Sequence, residues 1–488
     1  MPGHDLVIKG ENKGPKLLSG EGSAVGLLAD YAVAAQITDL PPEVIDHARR
    51  VLLDTIGVIL GGSIAPEATA LAHRLGRQDG GPSTIIGHAL RASTLNAALA
   101  NGTAATWLDY DSGHRPPPGK PLLPAAHPPI HLVPAILGVS EEMAASGPDV
   151  LVALVVGYEA GARIGMASRV RAEIHPHGTY HNVGAAVAAA RLKGVDRDRM
   201  ESTIGLAIHL TLMPSFQNAY QGRTVRNTYA AIGATSGILA SILATANFTP
   251  EHDAIGSVFG GVISPWLDPE RITEELGQRF EITQGFIKPY PMCRFGHPAV
   301  EAAEALINQY EIVSEEIDTV EVRTFGWAAT LDDREPKTDL GAKFSIPWAV
   351  ASMLVRKSAG PDDFRGEALA DDKLRAVAAR ITVREDPSYT SMTPSKRPAS
   401  VTVRTKRGDT FHWEVERSGG GPDAPLSAEK VQEKFRSLAD PVIGPEQATV
   451  VADIVANLHE LSDIRELTAL LMPPGPIKNC RKSLRGGK

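Results

Sequence analysis

From about Ser23 to residue 265 the chain repeats one pattern: apolar and small residues at helical spacing, stopped by Pro or Gly. Val25, Leu28, Ala29 and Ala32 share one face; Pro41-Pro42 breaks the run; Val44, Ala48, Val51, Leu52 and Ile56 resume it up to Gly61-Gly62. Helical spacing recurs through the Ala-rich segment opened by Ser93, through 132–145, 149–166, 184–192 and 199–212, and through the Ala/Gly/Ser segment 228–246. Neither a βαβ alternation nor a phosphate-loop pattern interrupts it, so the first 265 residues are expected to be almost wholly helical.

After Phe280 the character changes. Ile317, Val320 and Val322 read as a strand, as does 379–383. Val401, Val403 and Thr405 alternate, a turn follows at 406–409, and Phe411, Trp413 and Val415 alternate back, a hairpin signature. Helical spacing returns at 427–438, 445–458 and 462–471. The expected fold class is therefore mainly α. A helical bundle over 1–265 is completed by 427–473; a smaller inserted α+β lid domain spans 279–426; a flexible basic tail covers 474–488.

With 488 residues and a net charge of −8 without a long basic run, the chain fits a two-domain globular protein and not a nucleic-acid binder. Two distant cysteines, Cys293 and Cys480, make no disulfide framework and no iron–sulfur ligand set. No run approaching ~18 apolar residues is apparent, and the start lacks an apolar signal core, so a cytoplasmic protein without membrane partners is expected.

Reactive side chains gather in four loops at predicted helix ends: Asp109, Asp111, His114 and His127; His175, His177 and His181; Arg223 and Arg226; and Lys288, Cys293 and His297. Two prolines flank Tyr290, so the segment 286–297 is neither regular helix nor central strand. Histidines beside aspartate suit proton transfer near neutral pH, and lysine and arginine suit carboxylate binding. That set fits proton abstraction α to a carboxylate. His175, His177 and His181 with Asp109 could ligate zinc, but no His-Glu-x-x-His helix or cysteine pair accompanies them, and no metal is expected.

Taken together, Leu53-Asp-Thr-Ile-Gly-Val58, Asp109-Tyr-Asp111, His127-Pro128 with Val133-Pro-Ala, Gly157-Tyr-Glu with Arg163, His175-Pro-His-Gly-Thr-Tyr, Lys288-Pro-Tyr-Pro-Met-Cys293 with His297, Lys343-Phe-Ser-Ile and the segment Lys430 to Phe435 resemble the MmgE/PrpD family across about Val25 to Leu471. That family includes 2-methylcitrate dehydratase, cis-aconitate decarboxylase and iminodisuccinate epimerase. The resemblance implies a helical domain with an inserted α+β lid, a homodimer, no cofactor and a small polycarboxylate substrate. It implies Asp109, His127, His175 and Lys288 as catalytic residues, with Arg226 and Cys293 at substrate-binding positions; His114, His177 and His297, in the same loops, are further substrate-binding candidates. Ser112 stands where the family has a second aspartate, Arg226 where it has lysine, and Cys293 where its decarboxylases have histidine. The loop before His127 is longer, and His177 and His181 are additions. The expected reaction is 2-methylcitrate-like dehydration by a lyase. Decarboxylation or epimerisation on the same scaffold is the alternative, and ligand binding without turnover is a further one.

Overall fold

The computed structural model describes residues 22–78, 80–115 and 126–474. Cys480 and the tail from 475 lie outside them, as do residues 1–21 and 116–125 of the proline-rich loop. The fold is mainly α with small sheets. Helix α1 (Ala24–Ala34) starts at Ser23, whose hydroxyl accepts the Gly26 N–H at 2.9 Å. Then come α2 (Pro42–Ser63), a short hairpin of β1 (Ser83–Ile85) and β2 (Leu90–Ala92), and α3 (Thr94–Trp107). After them run α4 (Pro129–Met143), α5 (Gly147–Ala167), α6 (His181–Leu192), α7 (Arg197–His209) and α8 (Tyr229–Thr245). The hairpin departs from the all-helical expectation: three-residue strands give too short an alternation to separate from a turn.

Small residues set how closely these helices pack. A Cβ on Gly62 of α2 would stand 2.0 Å from the Ala104 carbonyl oxygen of α3, so only glycine permits that crossing. Helix α5 is buried along nearly its whole length. The expectation that no run is apolar enough to span a membrane is corrected by two helices. Gly147–Ala167 and Thr224–Thr245 are each long and apolar enough to cross a bilayer. Their few charged or polar side chains hid this in the sequence. The first is wholly enclosed by protein, the second 56% so.

A second hydrophobic core lies under a four-stranded sheet in the order β4–β3–β5–β6, formed by β3 (Ile317–Thr324), β4 (Ile381–Glu385), β5 (Ala399–Thr405) and β6 (Thr410–Val415). β3 runs parallel to β4 and antiparallel to β5, with Val322 opposite Val401. Ile317, Val320, Val322, Val401 and Val403 point into that core, with α9 (His297–Gln309) and α10 (Ile346–Arg356) packed there. The chain then returns through α11 (Ala428–Ile443) and α12 (Pro445–Ala456) to the first core. Gly57 and Gly61 of α2 face Phe435 and Leu438 of α11, where an added Cβ would meet side-chain carbons at 3.1 and 2.7 Å.

Candidate active site

Helix α3 ends in a cationic collar. Its last carbonyls lack the regular i+4 partners of the helix interior and take further donors from elsewhere. Arg226 reaches the Thr106 oxygen at 3.4 Å and Lys343 the Trp107 oxygen at 2.9 Å. Beyond them Asp109 sits at φ 50°, in the left-handed region. Asp tolerates that region better than most residues, yet it remains strained and needs local support. The support is electrostatic. Arg226 holds one Asp109 carboxylate oxygen at 2.5 Å; Lys288 holds the other at 3.0 Å and the Asp109 backbone oxygen at 2.7 Å. All three side chains are buried.

Two residues on, Asp111 contacts Lys288 at 3.6 Å and the Nδ1 of His127 at 2.7 Å. Burial alone would raise the Asp111 carboxyl; Lys288, His127 and Arg226 reverse this and hold it well below the usual carboxylate range. His127 Nδ1 also lies 3.2 Å from the Ser112 carbonyl oxygen, which can only accept, so its proton sits on Nδ1 beside the Asp111 anion and Nε2 is left for chemistry, the logic of a carboxylate–histidine dyad.

The His175–His181 loop packs beside this dyad. The rings of His127 and His177 are 5.1 Å apart, those of His175 and His177 4.5 Å. The His177 N–H donates to His175 Nδ1 at 3.1 Å. Burial first, then Arg226, pushes both imidazoles well below their ordinary pKa, so both are neutral. A neutral His175 accepting at Nδ1 carries its proton on Nε2, and it presents a donor. Of the two histidines considered as base, His127 is therefore the one with a free basic nitrogen.

One residue fixes this arrangement and was not singled out in the sequence. His131, one turn into α4, donates from Nδ1 to the His127 oxygen at 3.0 Å and accepts the Gly178 N–H at Nε2 at 2.9 Å. Burial lowers its pKa to about 3, which keeps it neutral and able to do both. A Cβ on Gly233 would stand 2.7 Å from this ring, so α8 makes room for it. The signal was available: His127 and His131 lie at i and i+4 across a helix start.

The structure brings Asp109, Asp111, His127, His175, His177, Arg226 and Lys288 together. Cys293 adjoins them through its N–H to the Lys343 oxygen at 2.9 Å; burial first, then Asp109, raises its thiol to about 11, so it is a neutral thiol. His114 and His297 are held elsewhere. His114 bonds Glu281 at 3.1 Å, and His297 bonds Arg294 at 2.9 Å and the Met292 oxygen at 3.2 Å. Asp111 was named among the reactive loops without a role; besides His131, sequence reasoning assigned no site role to Lys343, whose burial lowers its pKa to about 8, or to Lys434. Lys434 reaches from α11 to Asp54 at 2.7 Å, the Tyr110 oxygen at 2.8 Å and the Lys288 oxygen at 3.1 Å. As for metal, Asp111, His127 and His177 offer donor atoms within 4.8 Å of one another. Lys288 and Arg226 already serve the adjoining carboxylates, and a dication there would face both.

Residues 26–265 match the MmgE/PrpD N-terminal domain and residues 290–460 the MmgE/PrpD C-terminal domain. The chain belongs to the MmgE/PrpD family. Among its curated relatives is the cis-aconitate decarboxylase-like protein oryM of Aspergillus oryzae, 25% identical over 92% of this chain and 98% of that protein. The cis-aconitate decarboxylase of Aspergillus terreus is 23% identical over 89% of this chain and 93% of its own length. The human cis-aconitate decarboxylase is 23% identical over 90% and 93%. This MmgE/PrpD chain therefore spans nearly the whole of each.

Proposed function

We propose that the protein is a lyase that forms a carbanion beside a carboxylate of a small polycarboxylate, with decarboxylation of a cis-aconitate-like acid as its reaction. The observation that carries this is the His127–Asp111 dyad set against Lys288 and Arg226 at one buried end of α3. Decarboxylation breaks a carbon–carbon bond; its electron pair stays on the substrate and spreads into a neighbouring carboxylate as carbon dioxide leaves. The positive ends of Lys288 and Arg226 stabilise that charge where it develops. Protonated His127 Nε2, its charge balanced by Asp111, delivers a proton to the carbanion and recovers one from solvent. His175 contributes an N–H donor to a carboxylate oxygen.

The curated relatives support decarboxylation over the dehydration expected from the sequence. One observation favours dehydration: position 293 is a neutral cysteine where the family's decarboxylases are expected to have histidine. Dehydration would use the same dyad in the opposite sense, with neutral His127 Nε2 removing a proton and hydroxide leaving with a proton from a donor.

The test is incubation in D₂O with cis-aconitate and with 2-methylcitrate, followed by NMR and by carbon dioxide release. Carbon dioxide with one deuterium in the product, lost in His127→Gln, is expected. Alkene without carbon dioxide moves the assignment to dehydration, and no reaction or exchange with either acid removes the lyase reading.

A further inference from the structure

Two segments singled out in the sequence, Leu53-Asp-Thr-Ile-Gly-Val58 and Lys430 to Phe435, take no part in the chemistry above and lie far apart in the chain. The structure joins them. On α2 and α11 they face each other, with the Lys434 ammonium 2.7 Å from an Asp54 carboxylate oxygen. Gly57 lets the two helices meet there, since a Cβ on it would stand 3.1 Å from the Phe435 ring. Both charged side chains are buried, and the other Asp54 carboxylate oxygen has no hydrogen-bond partner among the described residues.

The pair does more than neutralise itself. Lys434 also donates to the Tyr110 oxygen at 2.8 Å and to the Lys288 oxygen at 3.1 Å, and its ammonium lies 3.8 Å from the centre of the Tyr110 ring. The Tyr110 hydroxyl donates to the Pro289 oxygen at 2.9 Å. Tyr110 stands between Asp109 and Asp111, and Lys288 is the cation that contacts both of those carboxylates. One ammonium thus fixes the spacing of the two backbone segments whose side chains make the site. A buried ion pair is by itself a weak source of stability, because desolvation offsets the attraction. What this one adds is orientation.

Its charges also reach the dyad. Burial raises the Asp54 carboxyl and lowers the Lys434 ammonium, and in each case the partner's charge opposes the shift. Asp111 acts on both, and raises both. Coulomb interactions are mutual, so the pair acts on Asp111 and through it on His127. The other groups around His127 are His131 on α4, His175 and His177 from the next loop and, through Asp111, Lys288 and Arg226.

We propose that Lys434, with Asp54 as its counter-ion, is a positioning residue of the site: it locks the Asp109–Asp111 turn to Lys288, and the pair sets part of the field at the His127–Asp111 dyad. The role in turnover rests on the lyase reading of that dyad.

The test compares Lys434→Met, Asp54→Asn, the double variant and Arg436→Gln, a surface control on α11. Three readouts are taken: melting temperature, the pH profile of kcat and KM, and the titration of the His127 ring nitrogens by NMR of histidine-labelled protein. Lys434→Met is expected to lower kcat about 10–100-fold, with a smaller change in KM. Its His127 titration moves up by about half a pH unit, and that of Asp54→Asn moves down by a similar amount. The double variant, with both charges gone, returns the titration to its wild-type position and keeps the low kcat, because the two carbonyl ties are still missing. Should Lys434→Met unfold around an uncompensated Asp54, the double variant carries the test of the ties and Asp54→Asn that of the field. Variants that melt earlier but keep kcat per folded molecule and the His127 titration overturn the proposal and leave the pair a plain brace. Opposite titration shifts with no turnover of any acid by the wild type keep the positioning pair and remove the lyase reading; turnover indifferent to Lys434 and Asp54 does the reverse.

Discussion

Two buried ionic clusters lie close together in this protein, on either side of the short pairing of Gly113–His114 with Gly285–Phe286. In one, Arg163 spends every nitrogen: on Glu159 at 2.9 Å and on the Ile272, Glu274 and Arg279 oxygens. Glu159 in turn accepts the Glu281 and Ile282 N–H groups at 2.6 and 3.3 Å, and Glu281 binds His114 and Arg279. In the other, Arg226 Nε, His177 Nδ1 and both Asp111 carboxylate oxygens are buried without a hydrogen-bond partner among the described residues, against one such atom, Arg279 Nη2, in the first. His127 is the member that keeps solvent contact, with its side chain 17% exposed. Buried polar atoms left unpaired are rare and costly. The first cluster is an internal brace; the second is organised for something that comes and goes.

The largest expected difference between them is in turnover. His127→Gln keeps a polar group beside Asp111 and the Ser112 oxygen but cannot exchange a proton, so the rate should fall about 10²–10⁴-fold while melting barely moves. Arg163→Ala leaves two buried carboxylates facing each other and should cost about 3–5 kcal/mol of stability by denaturant unfolding, with kcat per folded molecule unchanged. If Arg163→Ala instead spares stability and abolishes turnover, the distinction between brace and site is wrong.

A third test uses acid. His131, His175, His177 and His297 are buried and neutral, each with a pKa lowered chiefly by burial. The unfolded chain takes up protons on them below about pH 6.5 while the folded chain does not, so stability is fully present above that pH and falls as pH drops through it. At pH 5.5 the loss is on the order of 1 kcal/mol for each such histidine. Melting curves from pH 7.5 to 5.5 should show this, and His177→Gln should flatten the slope; an unchanged slope would mean His177 is not held neutral. The smallest effect is expected for Cys293→Ser, less than about tenfold in kcat/KM, because a neutral thiol there takes no proton. A larger loss would bring Cys293 into the chemistry.

How much of this was legible in the sequence follows from the same comparison. The helical order, the β5–β6 hairpin and the four reactive loops rest on local periodicity and on Pro and Gly, which act over a few residues. Asp109, His127 and Lys288 were found because each sits in a polar loop at a helix end. His114 belongs to the same kind of loop, yet pairing with Gly285 turns its side chain toward Glu281, and strand alternation over two residues leaves no readable pattern. Lys434 lies on an amphipathic helix, where a lysine reads as solvated. Its three partners lie 146, 324 and 380 residues away in the chain, and no local rule could supply them.

That lysine has a consequence for how the molecule comes to be. The carbonyl of Lys288 and the carbonyl beside Asp109 are both tied down by a side chain of α11. During synthesis the helices before residue 265 can collapse early. The reactive loops they carry wait for α11 to emerge and dock. A chain cut before α11 would thus be compact, but its reactive loops would lack the lysine that ties them down.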